Sequence, residues 1–261
     1  MVPVLSIVFM AISCLLSFAA PMGLLVYFRR KYQASVSSFF TGFGVMFVFA
    51  FILEPLVHSV VLRTFPITSI PWLYALYGGL MAGIFEETGR FVAYKTLLKD
   101  RMENNANALM YGAGHGGFEC IWLLGIAMMN NLVWSVMINT GNITQITGSL
   151  SEDLLIQAQA TVNTLTGSPS YMFLLGIVER FMALALQLSL SVIVWKAVKE
   201  NKKQFFFLAV IIHAAVDSVA VLLAYSLPVL LVELAVLLMT AAVVFYALRV
   251  WKTLKGNEYE T

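Results

Sequence analysis

Three groups of ionisable residues lie inside segments that are otherwise apolar enough to cross a membrane: Glu86, Glu87 and Arg90; His115 and Glu119; His213 and Asp217. An ionisable side chain at the centre of a bilayer costs several kcal/mol, from roughly 3 to beyond 10 by different measures, so a chain keeps one there for a site, a path or a buried ion pair. Two adjacent acids beside an arginine can be held in different protonation states, which general acid–base chemistry needs. An imidazole oriented by a carboxylate can hold a water or stabilise an oxyanion. The same histidines and carboxylates are ligand types for zinc, although no HExxH occurs. The two cysteines, Cys14 and Cys120, form no CxxC pair, and no Ser nucleophile elbow is present.

Spacing supports a shared purpose. Glu86 and Arg90 are four apart, as are His115 and Glu119, and His213 and Asp217, so on helices each pair shares one face. Glu87 is turned about 100° from Glu86, so one of the two can face inward while the other supports it. The plain alternative for the first group is a structural Glu86–Arg90 ion pair, but such a pair needs one carboxylate and not two. The plain alternative for each histidine is a bond between helices; two of the chain's three histidines with the same carboxylate spacing favour a site.

The elements that must position these groups are membrane helices. Of the 261 residues, 60% are hydrophobic and only 11% charged, with mean hydropathy +0.86, against about 25% charged in a globular domain. The class is therefore all-α, a polytopic helical bundle forming a single integral-membrane domain over 1–261. Seven apolar runs of about 20 residues or more are expected as spans: 3–28, 36–62, 71–98, 106–139, 169–195, 204–226 and 228–250. The first lacks the basic region of a cleavable signal and is read as retained. The longest polar connector is about 140–168. Alternate connectors and the tail hold Arg29, Arg30, Lys31, Lys95, Lys99, Arg101, Lys196, Lys199, Lys202, Lys203, Arg249, Lys252 and Lys255. By the positive-inside rule the N-terminus is outside and the C-terminus cytoplasmic. The net charge of +2 gives no reason to expect nucleic acid.

Depth tests whether the three groups can meet. Counted from the cytoplasmic end of each span, Glu86 and Glu87 lie roughly 16–18 Å in, Arg90 roughly 12 Å, and His115 and Glu119 roughly 14 and 20 Å, with His213 and Asp217 nearly level with them. One polar layer is expected, opening toward the cytoplasmic half. Gly112, Gly114, Gly116 and Gly117 around His115, and Gly79 and Gly83 before Glu86, either let helices pack closely or leave room beside His115 for water or a substrate strand. His58, Glu54, Glu179, Arg180 and Glu233 fall in the outer halves of their spans and are read as structural, with Arg180 able to reach the site if its helix tilts.

At these residues the chain resembles the glutamate-type intramembrane proteases, a group that includes the CAAX-prenyl endopeptidases, bacteriocin-processing relatives and the PrsW proteases. It is most similar to the YhfC family, described as bacterial intramembrane proteases, over nearly its whole length. Glu86 and Glu87 match the paired glutamates, one of which activates water in that group. Arg90 matches the basic residue of the motif at PrsW-like spacing. Tyr111 and His115 match the Phe-x-x-x-His motif with Tyr for Phe, Glu119 suits the separate glutamate motif of PrsW, and His213 and Asp217 match the last motif. The resemblance implies a multi-pass protein of the bacterial cell membrane, surrounded by lipid, that cleaves a membrane-protein or membrane-bound peptide. A prenylated substrate does not follow from it.

The expectation is an intramembrane endopeptidase with catalytic residues Glu86, Glu87, Arg90, His115, Glu119, His213 and Asp217, needing no cofactor. One alternative is a zinc enzyme using His115, Glu119, His213 and Asp217. The other is a proton- or cation-coupled transporter or a binding protein, weakened by the lack of a clear internal repeat.

Overall fold

A computed structural model describes residues 1–143, 147, 148 and 151–256. Its helices are α1 (Val4–Tyr32), α2 (Val36–Thr64), α3 (Pro71–Thr96), α4 (Ala106–Asn139), α5 (Glu152–Gly167), α6 (Tyr171–Lys199), α7 (Lys203–Ala224) and α8 (Val229–Gly256). No strand occurs among the described residues. Among the described residues six helices are long and apolar enough to cross a membrane: α1, α2, α4, α6, α7 and α8. The seventh expected span, α3, has 26 residues, long enough to cross, but Glu86, Glu87 and Arg90 lower its apolarity. Two helices widen into π geometry, α2 at Phe47–Leu53 and α4 at Cys120–Gly125.

The connector read as 140–168 holds an unexpected helix, α5. Its acidic start, Glu152 and Asp153, suits the positive end of a helix dipole. Ala158 and Leu165, seven residues apart, form its buried seam. The run looked like a loop because Thr, Ser, Gln and Asn dominate it.

The chain divides into two compact units, each drawn from separate stretches. The first comprises Met1–Ala20 and Glu119–Phe181. Val2, Met10, Leu165 and Phe173 form its buried core. Side chains also tie it together. Asn139 accepts from the Val2 amide at 2.7 Å and donates to the Val2 carbonyl at 3.0 Å, and the Ser13 hydroxyl donates to the Phe173 carbonyl at 2.7 Å.

The second unit comprises Pro21–Phe118 and Met182–Thr261. Its core is built on the later half of α6, where Leu190, Ile193, Val194 and Trp195 are fully buried. Helix α6 has 72% of its apolar window buried, against 17–28% for the other apolar spans. A helix apolar on all sides belongs in the interior, and the others keep apolar faces for lipid. Glycine lets its neighbours approach. A Cβ on Gly114 would overlap the Phe39 carbonyl of α2, and one on Gly83 would lie 2.8 Å from the Val210 carbonyl of α7. The glycines flanking His115 are thus filled by adjoining helices: Gly116 faces Leu184 and Gln187, and Gly117 faces Pro21. Close packing accounts for them.

Candidate active site

Helices α3, α4, α6 and α7 of the second unit bring six polar side chains together. Glu86, Glu87 and Arg90 come from the middle of α3, His115 from α4, Gln187 from α6, and His213 from α7. All six are buried; Glu87, Arg90 and His115 are completely so. Groups this deep must be paired to be tolerable, and each of the six residues has a partner, although the Arg90 Nε–H is left without one among the described residues.

The two adjacent glutamates have different surroundings. Glu86 Oε2 lies 2.8 Å from His115 Nε2, accepts from the Gln187 amide at 2.8 Å, and lies 3.9 Å from His213 Nε2. These interactions all fall on Oε2, which leaves Oε1 as the oxygen able to take a water. Glu87 faces away from that point. Its two oxygens accept from one Arg90 nitrogen, Nη1, at 2.6 and 2.5 Å, and its Oε1 also lies 2.8 Å from His213 Nδ1. Arg90 also donates through Nη2 to the Gln187 carbonyl oxygen. The ring of contacts therefore runs from Glu86 through Gln187, Arg90 and Glu87 to His213.

The pairing runs both between helices and within them, and the four-residue spacing does not decide it. His115 meets Glu86, although Glu119 sits one turn along its own helix. Arg90 meets Glu87 at three residues' spacing, not Glu86 at four. His213 is oriented through Nδ1 by Glu87, and Asp217 lies on its other side, 3.4 Å from Nε2. A carboxylate on Nδ1 fixes an imidazole and aims its Nε2, an arrangement common around metal-bound and catalytic histidines. The Tyr111 ring stacks on His115 with centroids 5.8 Å apart.

Glu119 belongs to the first unit, where Arg180 donates to it at 2.8 Å and also to Glu179. Gln187 was not foreseen; its signal was a lone amide in the apolar run 169–195. His58 and Glu54, read as structural, form a pair at 3.1 Å, with His58 Nδ1 2.8 Å from the Tyr77 hydroxyl.

The donor set suits zinc in type, since imidazole nitrogens and carboxylate oxygens are its usual ligands besides thiolate. The spacing is that of hydrogen bonds: among the described residues no group of three or more His, Cys, Asp or Glu is arranged to hold a metal ion as it stands.

The fold and this site define a multi-pass membrane protein that carries a buried histidine–carboxylate centre within its helices. The chain belongs to the YhfC intramembrane metalloprotease family, whose model matches residues 16–241. It is similar to a Bacillus subtilis (strain 168) protein named as the uncharacterized membrane protein YhfC, at 40% identity over 224 residues, covering 83% of this chain and 84% of that one. No solved structure matches the chain.

Proposed function

We propose that this protein is an intramembrane endopeptidase in which Glu86 handles the proton of the hydrolytic water. The observation that carries this reading is the position of Glu86 Oε2, 2.8 Å from His115 Nε2 with the Gln187 amide on the same oxygen. A carboxylate within hydrogen-bond reach of the proton it takes is the geometric requirement for a general base. A water held by Glu86 and His115 gives its proton to Glu86 and attacks the peptide carbonyl. The C–N bond then breaks, and Glu86 passes the proton to the leaving amine. His213, with Asp217 beside it, stabilises the oxyanion or completes the positioning of the water. Glu87 and Arg90 are positioning residues: Glu87 orients His213, and Arg90 compensates the charge of Glu87. The substrate is a membrane-protein or membrane-bound peptide segment, and the basic connectors face the cytoplasm.

A second reading adds a metal, favoured by the family's description and by the donor types. His115, His213 and Asp217 would hold a zinc ion, with Glu86 keeping its role as proton carrier. Bound there, the ion would polarise the carbonyl and ease ionisation of water. Glu119, paired with Arg180, is not among these ligands.

The test is cleavage of a library of membrane-embedded peptides by purified protein, before and after removal of tightly bound zinc, with metal analysis of both samples. Cleavage that survives removal supports the metal-free reaction. Cleavage that is lost and returns with zinc supports the metal reaction. No cleavage by either sample counts against the peptidase reading.

A further inference from the structure

Hydrolysis inside a membrane needs a route for water, and toward the basic end of the second unit three packed aromatic side chains lie between the site and the connectors. Tyr94, Tyr111 and Trp195 are fully buried there, with Tyr94 packed edge-on against Tyr111 at 4.8 Å and against Trp195 at 4.9 Å between centroids. From the basic ends of their helices, Tyr94, Trp195 and Tyr111 lie at about 3, 6 and 8 Å, below Glu86 and His213 at about 15 Å. The side between α2 and α4 is also filled, by Phe118 against Phe43 at 4.9 Å and Phe51 at 4.8 Å.

Polar groups continue in the opposite direction. On the same count Asp217 lies at about 21 Å, Glu54 at about 27 Å, Tyr77 at about 29 Å and His58 at about 33 Å. Helices α2 and α7 both pack on α3, and the charges of Glu86, His213 and Asp217 act on Glu54. Glu54 is bonded to His58, and His58 to Tyr77. From Glu86 outward the side chains are 8% exposed at Glu86, 37% at Asp217, 11% at Glu54 and 28% at His58, so each group beyond Glu86 is more open than Glu86 itself. Ionisable groups within spans face the bundle interior or a water-filled cavity, because lipid would penalise them. The π segment Phe47–Leu53 ends immediately before Glu54, and such segments recur at functional sites.

We propose that Asp217, Glu54, His58 and Tyr77 line a water path that reaches Glu86 from the 65–70 connector, the end opposite the Lys- and Arg-rich connectors. It differs from the expectation of an opening toward the cytoplasmic half, and thiol labelling decides between the two. It rests on the peptidase reading for its purpose and on side-chain placement for its course. Glu54, His58 and Tyr77 are positioning residues that hold water in file and do not touch the peptide.

Accessibility tests the path without any need for catalysis. His58→Cys, Tyr77→Cys and Asp217→Cys proteins are treated in sealed vesicles with a membrane-impermeant thiol reagent, and the parent's own labelling is subtracted. Thr68→Cys in the 65–70 connector and Glu103→Cys in a basic connector mark the two sides. The expected result is labelling of the path positions from the side that labels Thr68→Cys. Labelling from the side of Glu103→Cys, or from neither side in folded variants, would overturn the path. The peptidase reading would survive that outcome. Loss of that reading through an active Glu86→Gln protein would in turn leave the labelling result standing.

Discussion

Two clusters of intramembrane charge, one in each unit, use similar residues to different ends. In the first unit Arg180 bonds Glu119 and Glu179, so a guanidinium that never gives up its proton meets two carboxylates. That arrangement is an ion pair and can do little besides hold helices. In the second unit Arg90 bonds Glu87 and Gln187, and the carboxylate adjacent to Glu87 faces two imidazoles. Histidine and a carboxylate can exchange a proton, and the arginine neutralises the neighbour that would otherwise repel it. The difference teaches that an arginine in a membrane helix marks structure, and that chemistry is to be sought in the acids it leaves free.

Three substitutions sharpen the contrast. Arg90→Leu should have the largest effect: with side-chain exposure of 0% on both partners it strands a buried carboxylate, a loss of about 3–5 kcal/mol that thermal unfolding in detergent would register, together with loss of cleavage. Arg180→Leu should lower stability less, because its side chain is 16% exposed, and should leave cleavage per folded molecule unchanged. Equal damage to activity from both would erase the distinction. The smallest effect belongs to an ion pair outside the spans. Burial pushes the Glu200 carboxyl up, but hydrogen bonds from Lys202 and Lys196 outweigh it and hold the group below its usual value. Its folded pKa being lower than its unfolded one, its contribution is present above the ordinary carboxylate range and fades as pH falls through the folded value. Glu200→Gln should therefore cost at most about 1 kcal/mol near neutral pH and nothing in strong acid, read from melting temperature against pH.

Much of the site could be read from the sequence because depth and cost are one-dimensional. Hydropathy set the spans, helix rise put Glu86, His115 and His213 in one layer, and their expense in lipid marked them out. Partner choice was not legible, since it depends on how each helix is rotated. Four-residue spacing put His115 with Glu119 and Glu86 with Arg90, whereas the folded chain joins His115 to Glu86 and Arg90 to Glu87. Adjacent glutamates differ by one helical step, and only packing says which one faces the imidazoles. Gln187, uncharged and alone, gave too small a hydropathy signal to be singled out. The α5 helix was hidden among Gln, Thr, Ser and Asn, and the bonds joining Glu54, His58 and Tyr77 depend on how α2 and α3 are rotated.

The most direct measurement compares Glu86→Gln with Glu87→Gln for cleavage of a peptide that the wild type cuts, and for melting temperature. The account predicts that Glu86→Gln lowers cleavage by about 10²–10⁴-fold while melting near the wild type, because it removes the proton carrier and keeps the shape. Glu87→Gln should instead melt lower, having lost the partner of Arg90. A folded Glu86→Gln protein that cleaves like the wild type would contradict the account.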